Sequence, residues 1–190
     1  MRPYLLLLLF VILLPTKLFA QKSVYVIDLK NDTIKCYRVE ENDFGGIRYK
    51  TDATSKFISG DEKTIKEYQL NSDSSIHVAF TLIPKFGPEF IQLLEKGKIC
   101  LYVDYFYGPT SKITNYFVSK NQGDIIGIKT NGLMPFDKYY GNREFRKKEF
   151  ISLLNDDPQV STAYQAENSF EFDSIRKYIK QYNQDAALKK

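Results

Sequence analysis

FIQLLEKGKICLYVDYFYG, residues 90–108, is a dense run of apolar and aromatic side chains with turn signals close to both of its ends. Ile99, Leu101 and Val103 occupy every second position in its latter half. A period of two is typical of a strand that buries one face. This half of the stretch therefore predicts a strand in a β-rich core.

The first half of the stretch and its turn complete a hairpin. Lys96-Gly97 predicts the turn, since glycine adopts the positive φ that a two-residue hairpin loop requires. Residues 90–95 fit a strand, but they also fit one face of a short helix, because the apolar positions are Phe90, Ile91, Leu93 and Leu94. We favour the strand.

Shorter strand patterns surround the hairpin. Lys30-Asn31-Asp32 separates two of them and predicts a tight turn, because Asn and Asp tolerate left-handed backbone conformations. Residues 51–63 are polar and predict a surface connection. The predicted strands are residues 23–29, 33–39, 47–49, 65–70, 75–84, 112–120 and 125–129. Strands at such short spacing predict an antiparallel β meander that forms a curved sheet or an open barrel.

The pattern becomes helical after Gly141. Asn142 is a candidate N-cap for a helix over residues 143–155, and Pro158 is expected to end that helix. A second helix begins near Asp173 and carries an amphipathic stripe formed by Ile175, Tyr178, Ile179 and Tyr182. An apolar stripe of this kind must be buried against another part of the protein. We therefore predict an α+β fold with two or three C-terminal helices packed on the sheet.

Residues 1–20 have the layout of a secretory signal peptide. Arg2 precedes an unbroken apolar run, and Ala20 offers a cleavage site. The run is too short to cross a bilayer core of about 30 Å as a stable helix. We expect export to the periplasm or outer envelope, or secretion. An uncleaved anchor is the alternative, because Leu18 is larger than the residue usual at its position.

Residues 21–190 have the length of one domain, β-rich over 21–141 and helical over 142–190. The whole chain has 27 Lys and Arg residues and 23 Asp and Glu residues. Arg2 and Lys17 belong to the predicted signal, so the mature chain is close to neutral. This charge gives no reason to expect nucleic acid as a partner.

Cys36 and Cys100 are the only cysteines. Both lie in predicted strands, and an exported protein can form a disulfide where the two Cα atoms approach within about 7 Å. The alternative is two buried thiols that never meet. The sequence leaves both possibilities open.

Candidate catalytic residues are few. His77 is the only histidine, so it alone could be the base of a Cys-His dyad. Its strand position instead predicts a solvent-facing or edge-strand side chain. We assign no catalytic, cofactor-binding or metal-binding residues, because one histidine and two distant cysteines form no metal-ligand cluster. Asp156-Asp157 is an acidic pair, which we interpret as the end of a helix before Pro158.

Two groups of side chains are candidates for binding surfaces. A basic cluster at the start of the first helix, usually a solvated face, consists of Arg143, Arg146, Lys147 and Lys148. An aromatic group could stack on a sugar or a peptide and consists of Tyr102, Tyr105, Phe106, Tyr107, Tyr139 and Tyr140. We expect the three consecutive aromatic residues that end with Tyr107 to reach the surface.

Four segments carry a resemblance: NDTIK at 31–35, FIQLLEKGKICLY at 90–102, ISLLNDDPQV at 151–160 and IRKYIKQYN at 175–183. Together they resemble a group of secreted Bacteroidetes proteins whose function is unknown. The resemblance implies an N-terminal signal, a β-rich segment and two or three C-terminal helices in a periplasmic or outer-envelope protein. It implies no site residues.

These observations favour a non-enzymatic envelope module that binds a partner protein or a glycan, or that scaffolds an assembly. The alternative is a hydrolase that acts on envelope or dietary glycans or peptides through paired carboxylates, which meet in space and not in sequence. We expect no cofactor and no membrane span in the mature chain. A cleft that holds converging carboxylates would favour the hydrolase.

Overall fold

The computed structural model describes residues 24–43, 45–82, 87–108, 111–132 and 136–189. Within these ranges the chain forms eleven strands and four helices, so the predicted α+β class is confirmed. The predicted signal peptide, residues 1–20, lies outside the described residues.

Eight strands form one large antiparallel sheet. They are β1 (Val24–Asp28), β2 (Thr33–Cys36), β6 (Ile65–Gln69), β7 (Ile76–Phe80), β8 (Glu89–Glu95), β9 (Ile99–Tyr107), β10 (Lys112–Lys120) and β11 (Ile126–Thr130). The strand order is β11-β10-β9-β8-β7-β6-β1-β2, and the two end strands do not pair, so the sheet is open. The segment before Gly97 is the strand β8, as predicted.

A second, small sheet was not predicted. It consists of β3 (Arg38–Glu41), β4 (Ile47–Lys50) and β5 (Ile58–Gly60), in that order. The single strand predicted over residues 33–39 is wrong, because the chain breaks at Tyr37 between the two sheets. Cys36 and Val39 are both buried in one apolar cluster, and two residues three positions apart cannot share a face of one strand.

Strand β5 also corrects the sequence analysis. It lies inside residues 51–63, which were expected to be a surface connection alone. Its residue Ile58 opposes Tyr49 of β4, so the strand completes the small sheet. Three residues are too few for a period of two to be recognised in a polar segment.

The register of the large sheet defines its two faces. Directly opposed residues of an antiparallel pair point to the same side. We call the front face the side that carries Val26, Tyr68, His77, Gln92 and Val103, which oppose one another from strand to strand. Ile99 and Leu101 lie on this face too, because they are four and two positions from Val103.

The described helices are α1 (Phe136–Tyr140), α2 (Arg143–Leu154), α3 (Pro158–Glu167) and α4 (Phe172–Leu188). Asn142 caps α2 as predicted, since its side chain accepts a hydrogen bond from the Phe145 N–H at 2.9 Å. Two or three helices were expected. Pro158 does not simply end α2 but occupies the first turn of α3, where its missing N–H costs nothing, and Asp157 caps that helix.

Three apolar clusters hold the layers together. On the front face, the stripe of α4 predicted from Ile175 to Tyr182 is buried with α2 and α3 against Ile99, Leu101, Val118 and Ile128. The small sheet covers the front face at the other end, over β1 and β6. On the opposite face, α1 packs near Tyr102 and Phe117. Each fully buried aliphatic or Phe side chain contributes about 1.5–3 kcal/mol of transfer free energy.

Gly97 is required for a different reason from the one predicted. The loop between β8 and β9 has three residues, and Gly97 does not adopt a positive φ. A Cβ atom at this position would lie 2.3 Å from the side chain of Asn183. Gly97 therefore allows α4 to lie against the hairpin.

Arg146 covers the edge of the large sheet. Its side chain is buried, and its Nε donates a hydrogen bond to the Ile128 carbonyl of β11 at 3.3 Å. The same guanidinium binds the Asp137 carboxylate and the Gly141 carbonyl. The bond satisfies one main-chain acceptor of β11, the last strand of the sheet, and adds to the packing of α2 against Ile128.

Candidate functional site

Two separate layers cover the two ends of the front face, and a cleft lies between them. The helices pack on β9, β10 and β11, and the small sheet packs on β1 and β6. Between these areas lie the front-face side chains of β7 and β8 and the second half of β9. A cleft of about 460 Å³ opens there.

The cleft is lined by side chains from both sheets. Six of the polar and aromatic ones are Glu41, Asp73, His77, Gln92, Tyr105 and Tyr107, and a third carboxylate, that of Asp104, lines it as well. Glu41 is the last residue of β3, whereas Asp73 lies in the turn between β6 and β7. The other four of the six project from three neighbouring strands of the large sheet. An adjoining cleft of about 430 Å³ shares Glu41 and Phe90 with the first.

His77 is the most enclosed titratable group of the cleft. It belongs to an inner strand and its side chain is only 14% exposed, so the expectation of a solvent-facing or edge-strand histidine is wrong. Its ring meets Tyr68 edge to face at 4.9 Å between centroids. Burial lowers the pKa of His77, although the charges of Glu41 and Asp73 oppose this shift.

Glu41 connects the two sheets beside His77. Its Oε1 accepts a hydrogen bond from the Tyr68 hydroxyl at 2.9 Å. The same oxygen lies 3.2 Å from Nδ1 of His77, although the direction of approach is not that of a hydrogen bond. Burial, together with the Glu41 carboxylate, raises the pKa of Tyr68, so its hydroxyl remains a donor.

The second carboxylate of the cleft is Asp73. It accepts a hydrogen bond from the Ser75 N–H at 2.8 Å, and this bond lowers the pKa of Asp73. Its carboxylate therefore stays ionised. No Lys or Arg is among the described residues that line either cleft, so the lining is acidic in a chain whose overall charge is slightly basic.

Two of the six candidate aromatic residues line the cleft. Tyr105 and Tyr107 alternate on the front face at the end of β9, and their residues are 38% and 71% exposed. The Lys112 ammonium lies 3.5 Å from the centre of the Tyr105 ring and 5.4 Å from that of Tyr107. This cation–π contact supports both rings at the cleft.

The other four aromatic candidates lie elsewhere. Tyr102 is buried on the opposite face, where its hydroxyl pairs with Ser119. Phe106 is exposed, but it alternates with its two neighbours and so points away from the front face. Tyr139 is exposed on α1, and the Tyr140 hydroxyl donates to the Leu82 carbonyl.

The predicted basic cluster does not form a joint surface. Arg146 is buried at the sheet edge, and the Arg143 guanidinium lies over the Phe170 ring. Lys147 donates a hydrogen bond to the Asn168 side chain. The expectation of a solvated face is therefore wrong for Arg146, whose polar bonds are made inside the protein.

The acidic pair Asp156-Asp157 has two structural roles. Asp157 is the N-cap of α3, with its carboxylate 3.3 Å from the Val160 nitrogen. Asp156 binds the ammonium groups of Lys98 and Lys120 and so connects the α2–α3 corner to β9 and β10. Neither lines the cleft. The first long helix ends at Leu154, just before this pair, as expected, and the pair also begins the next helix.

Both cysteines are free thiols. Cys36 is buried and its Sγ contacts the Ile34 carbonyl, whereas Cys100 is partly exposed and its Sγ contacts the Gly97 carbonyl. Each thiol thus has a main-chain partner, and neither residue lines the cleft with His77. The geometry brings no Cys-His dyad together.

No group of three or more His, Cys, Asp or Glu side chains in the described part of the chain is arranged to hold a metal ion. None of the helices there is both long enough and apolar enough to cross a membrane.

Comparison with protein-family models, with curated proteins and with solved structures finds no match to this chain. The cleft must therefore be interpreted from its own side chains. Sequence reasoning found Tyr105 and Tyr107 as candidates but missed Glu41, Asp73 and Gln92. No local signal marks these three, because strand register and the position of the small sheet bring them together.

Proposed function

We propose that this protein is an exported, non-enzymatic module of the cell envelope that binds an uncharged glycan chain in the cleft around His77. The layout of residues 1–20 supports export. The resemblance of the chain to secreted Bacteroidetes proteins is a second reason to expect the periplasm or outer envelope.

The single observation that carries the proposal is the composition of one cleft. Tyr107 and the face of Tyr105 that Lys112 does not cover present ring surfaces on which the apolar faces of a sugar can stack. Glu41 and Asp73 accept hydrogen bonds from sugar hydroxyls, while the Gln92 amide both donates and accepts them. Such a combination of stacking and dense hydrogen bonding suits a carbohydrate better than an apolar ligand.

The charge of the lining limits the kind of glycan. Three carboxylates, those of Glu41, Asp73 and Asp104, line the cleft without a Lys or Arg among its described lining residues, and they outnumber the Lys112 ammonium beside Tyr105. They repel the uronate, sulfate or phosphate groups of an acidic polysaccharide. The size is suitable too, since about 460 Å³ lies in the range of small-ligand pockets. A longer chain can continue past Glu41 into the adjoining cleft of about 430 Å³.

Isothermal titration calorimetry with a panel of neutral and acidic oligosaccharides tests the proposal. We expect at least one neutral oligosaccharide to bind, and Tyr107→Ala to weaken that binding about tenfold through lost stacking. Tyr139→Ala removes another exposed tyrosine, which lies outside the cleft, and should leave the affinity unchanged. Failure of all neutral oligosaccharides to bind, or an unchanged affinity in Tyr107→Ala, would contradict the proposal.

A second candidate function is the hydrolase, because Glu41 and Asp73 line the same concave site. Paired carboxylates are the catalytic groups of most glycosidases. The lowered pKa of Asp73 suits a base or nucleophile and not the acid of such a pair. Turnover of a bound oligosaccharide that disappears in both Glu41→Gln and Asp73→Asn would favour the hydrolase over the binding module.

A further inference from the structure

The small sheet is attached to the front face at both ends of β3. Near the start of the strand, the Val39 N–H donates a hydrogen bond to the Asn71 side chain at 2.5 Å. At its last residue, Glu41 accepts from Tyr68 and lies against His77. The second attachment contains a titratable pair, whereas the first does not.

The surroundings of His77 favour its neutral form. The ring has Tyr68 at its edge, and the hydrogen-bond acceptor nearest to Nδ1 is an oxygen that already accepts from the Tyr68 hydroxyl. A protonated imidazole has two N–H donors, and each must be hydrogen-bonded or hydrated. For the buried Nδ1 the site provides one shared acceptor at a poor angle, so a charge on His77 is better stabilised where water can reach this nitrogen.

Three carboxylates and two uncharged side chains face His77 from the elements around it. Glu41 approaches from β3, Asp73 from the turn after β6, and Asp104 lines the cleft on β9. Tyr68 on β6 and Gln92 on β8 are its uncharged strand partners. The carboxylates attract a proton to His77, while burial opposes protonation and is the larger effect.

We propose that the Tyr68–Glu41 hydrogen bond beside His77 is a pH-dependent latch, which holds the end of β3 on the front face while His77 is neutral and is released in acid when His77 takes up a proton. The released state is one in which the Glu41 end of the small sheet moves off His77 and the imidazole becomes hydrated.

The direction follows from proton linkage. In a released state, His77 has the ordinary pKa of about 6.5, whereas the closed state binds the proton more weakly. Any state with a higher affinity for protons gains population as the pH falls. The closed latch is therefore fully favoured above pH about 6.5 and loses population as the pH falls below that value.

The latch lies in the wall of the proposed glycan site. Glu41 lines both clefts and His77 lines the first, so release would widen the cleft and displace one of its three carboxylates. This consequence for binding rests on the proposed function. The latch itself does not, because it can be measured without any ligand.

NMR spectroscopy of the purified protein, without ligand, tests the latch. His77 gives a single histidine signal, whose titration reports its pKa directly. The Val39 amide reports the contact between the sheets, since it donates across them to Asn71. We expect the His77 pKa to lie below 6.5, and the exchange protection of Val39 to fall about threefold or more across that titration. The protection of Leu101, in the core of β9, should not change.

Two variants complete the test. His77→Gln keeps a polar planar side chain but cannot titrate, so Val39 protection should become independent of pH. Glu41→Gln weakens the bond from Tyr68 and should lower Val39 protection already at neutral pH. Glu40→Gln is its matched control and should not, because Glu40 pairs with Arg48 on the outer side of the small sheet. A His77 pKa at or above 6.5, a constant Val39 protection, or the same fall in His77→Gln would overturn the latch. Glycan binding that fails while these results hold would overturn only the proposed function.

Discussion

The side-chain amide of Asn183 pairs with the main chain of Ile99, 84 positions earlier. Asn183 accepts from the Ile99 N–H at 2.9 Å and donates to the Ile99 carbonyl at 2.7 Å. The Asn183 side chain thus makes the two main-chain hydrogen bonds that a neighbouring strand would make with Ile99, the first residue of β9. It also fills the space beside Gly97, so the hairpin loop and α4 depend on each other.

Gly97→Ala should destabilise the protein by about 1–3 kcal/mol, because a methyl group cannot fit beside the Asn183 side chain. Urea denaturation monitored by circular dichroism measures the loss. Gly108→Ala is the control, since its nearest neighbour would be at an ordinary 3.4 Å. In a protein that already carries Asn183→Ala, Gly97→Ala should lower the free energy of unfolding by a smaller amount. Equal costs in both backgrounds would contradict the contact.

Asp156→Asn should lower the free energy of unfolding at pH 7 by about 1–2 kcal/mol, because it weakens charged hydrogen bonds from Lys98 and Lys120 at a partly exposed site. Burial opposes ionisation of Asp156, but these bonds and the one from Tyr182 outweigh it and hold the pKa of the carboxyl well below its usual value.

The same pKa shift predicts an acid dependence. A carboxyl with a depressed pKa stabilises the fold above its unfolded pKa of about 3.9, and this contribution is lost as the pH falls further. Urea denaturation at pH 5 and pH 2.5 should show a smaller loss of stability in Asp156→Asn than in the wild type. Asp124→Asn, an exposed site, should behave like the wild type. An equal loss in all three proteins would refute the assignment.

Alkylation with iodoacetamide at pH 8 should modify Cys100 well before Cys36. Burial raises the pKa of the Cys36 thiol to about 11, so almost no thiolate is present and the sulfur is inaccessible. Cys100 is partly exposed. Mass spectrometry of peptides measures both rates, with denatured protein as the reference. Equal rates in the folded protein, or a mass increase of the untreated protein on reduction, would contradict two free thiols.

Tyr164→Phe should leave stability unchanged or raise it by up to about 1 kcal/mol. The residue is 1% exposed, and its hydroxyl has no hydrogen-bond partner among the residues that the structure describes. Tyr178→Phe is the matched control in the same cluster, because it removes bonds to Ala163 and Glu167 and should destabilise by about 1 kcal/mol. Thermal unfolding of both variants distinguishes them. A larger loss in Tyr164→Phe than in Tyr178→Phe would be the contrary result.

Local periodicity predicted most of the elements. The strand β10 has the bounds expected from its pattern, and the stripe of α4 from Ile175 to Tyr182 is buried as predicted. Helix α3 was missed because Pro158 is ambiguous by itself: it ends one helix and is equally suited to the first turn of the next. The split of residues 33–39 was missed because both halves have strand composition.

The sequence by itself determined which segments become strands and helices and which of their faces are apolar, because these properties depend on side chains a few positions apart. Only the tertiary structure decided that Glu41 meets His77, that Gly97 makes room for Asn183 and that Arg146 covers β11. Those contacts depend on strand register and on the packing of layers, which bring together residues that are far apart in the chain. No local sequence pattern indicates which distant residue will be the partner.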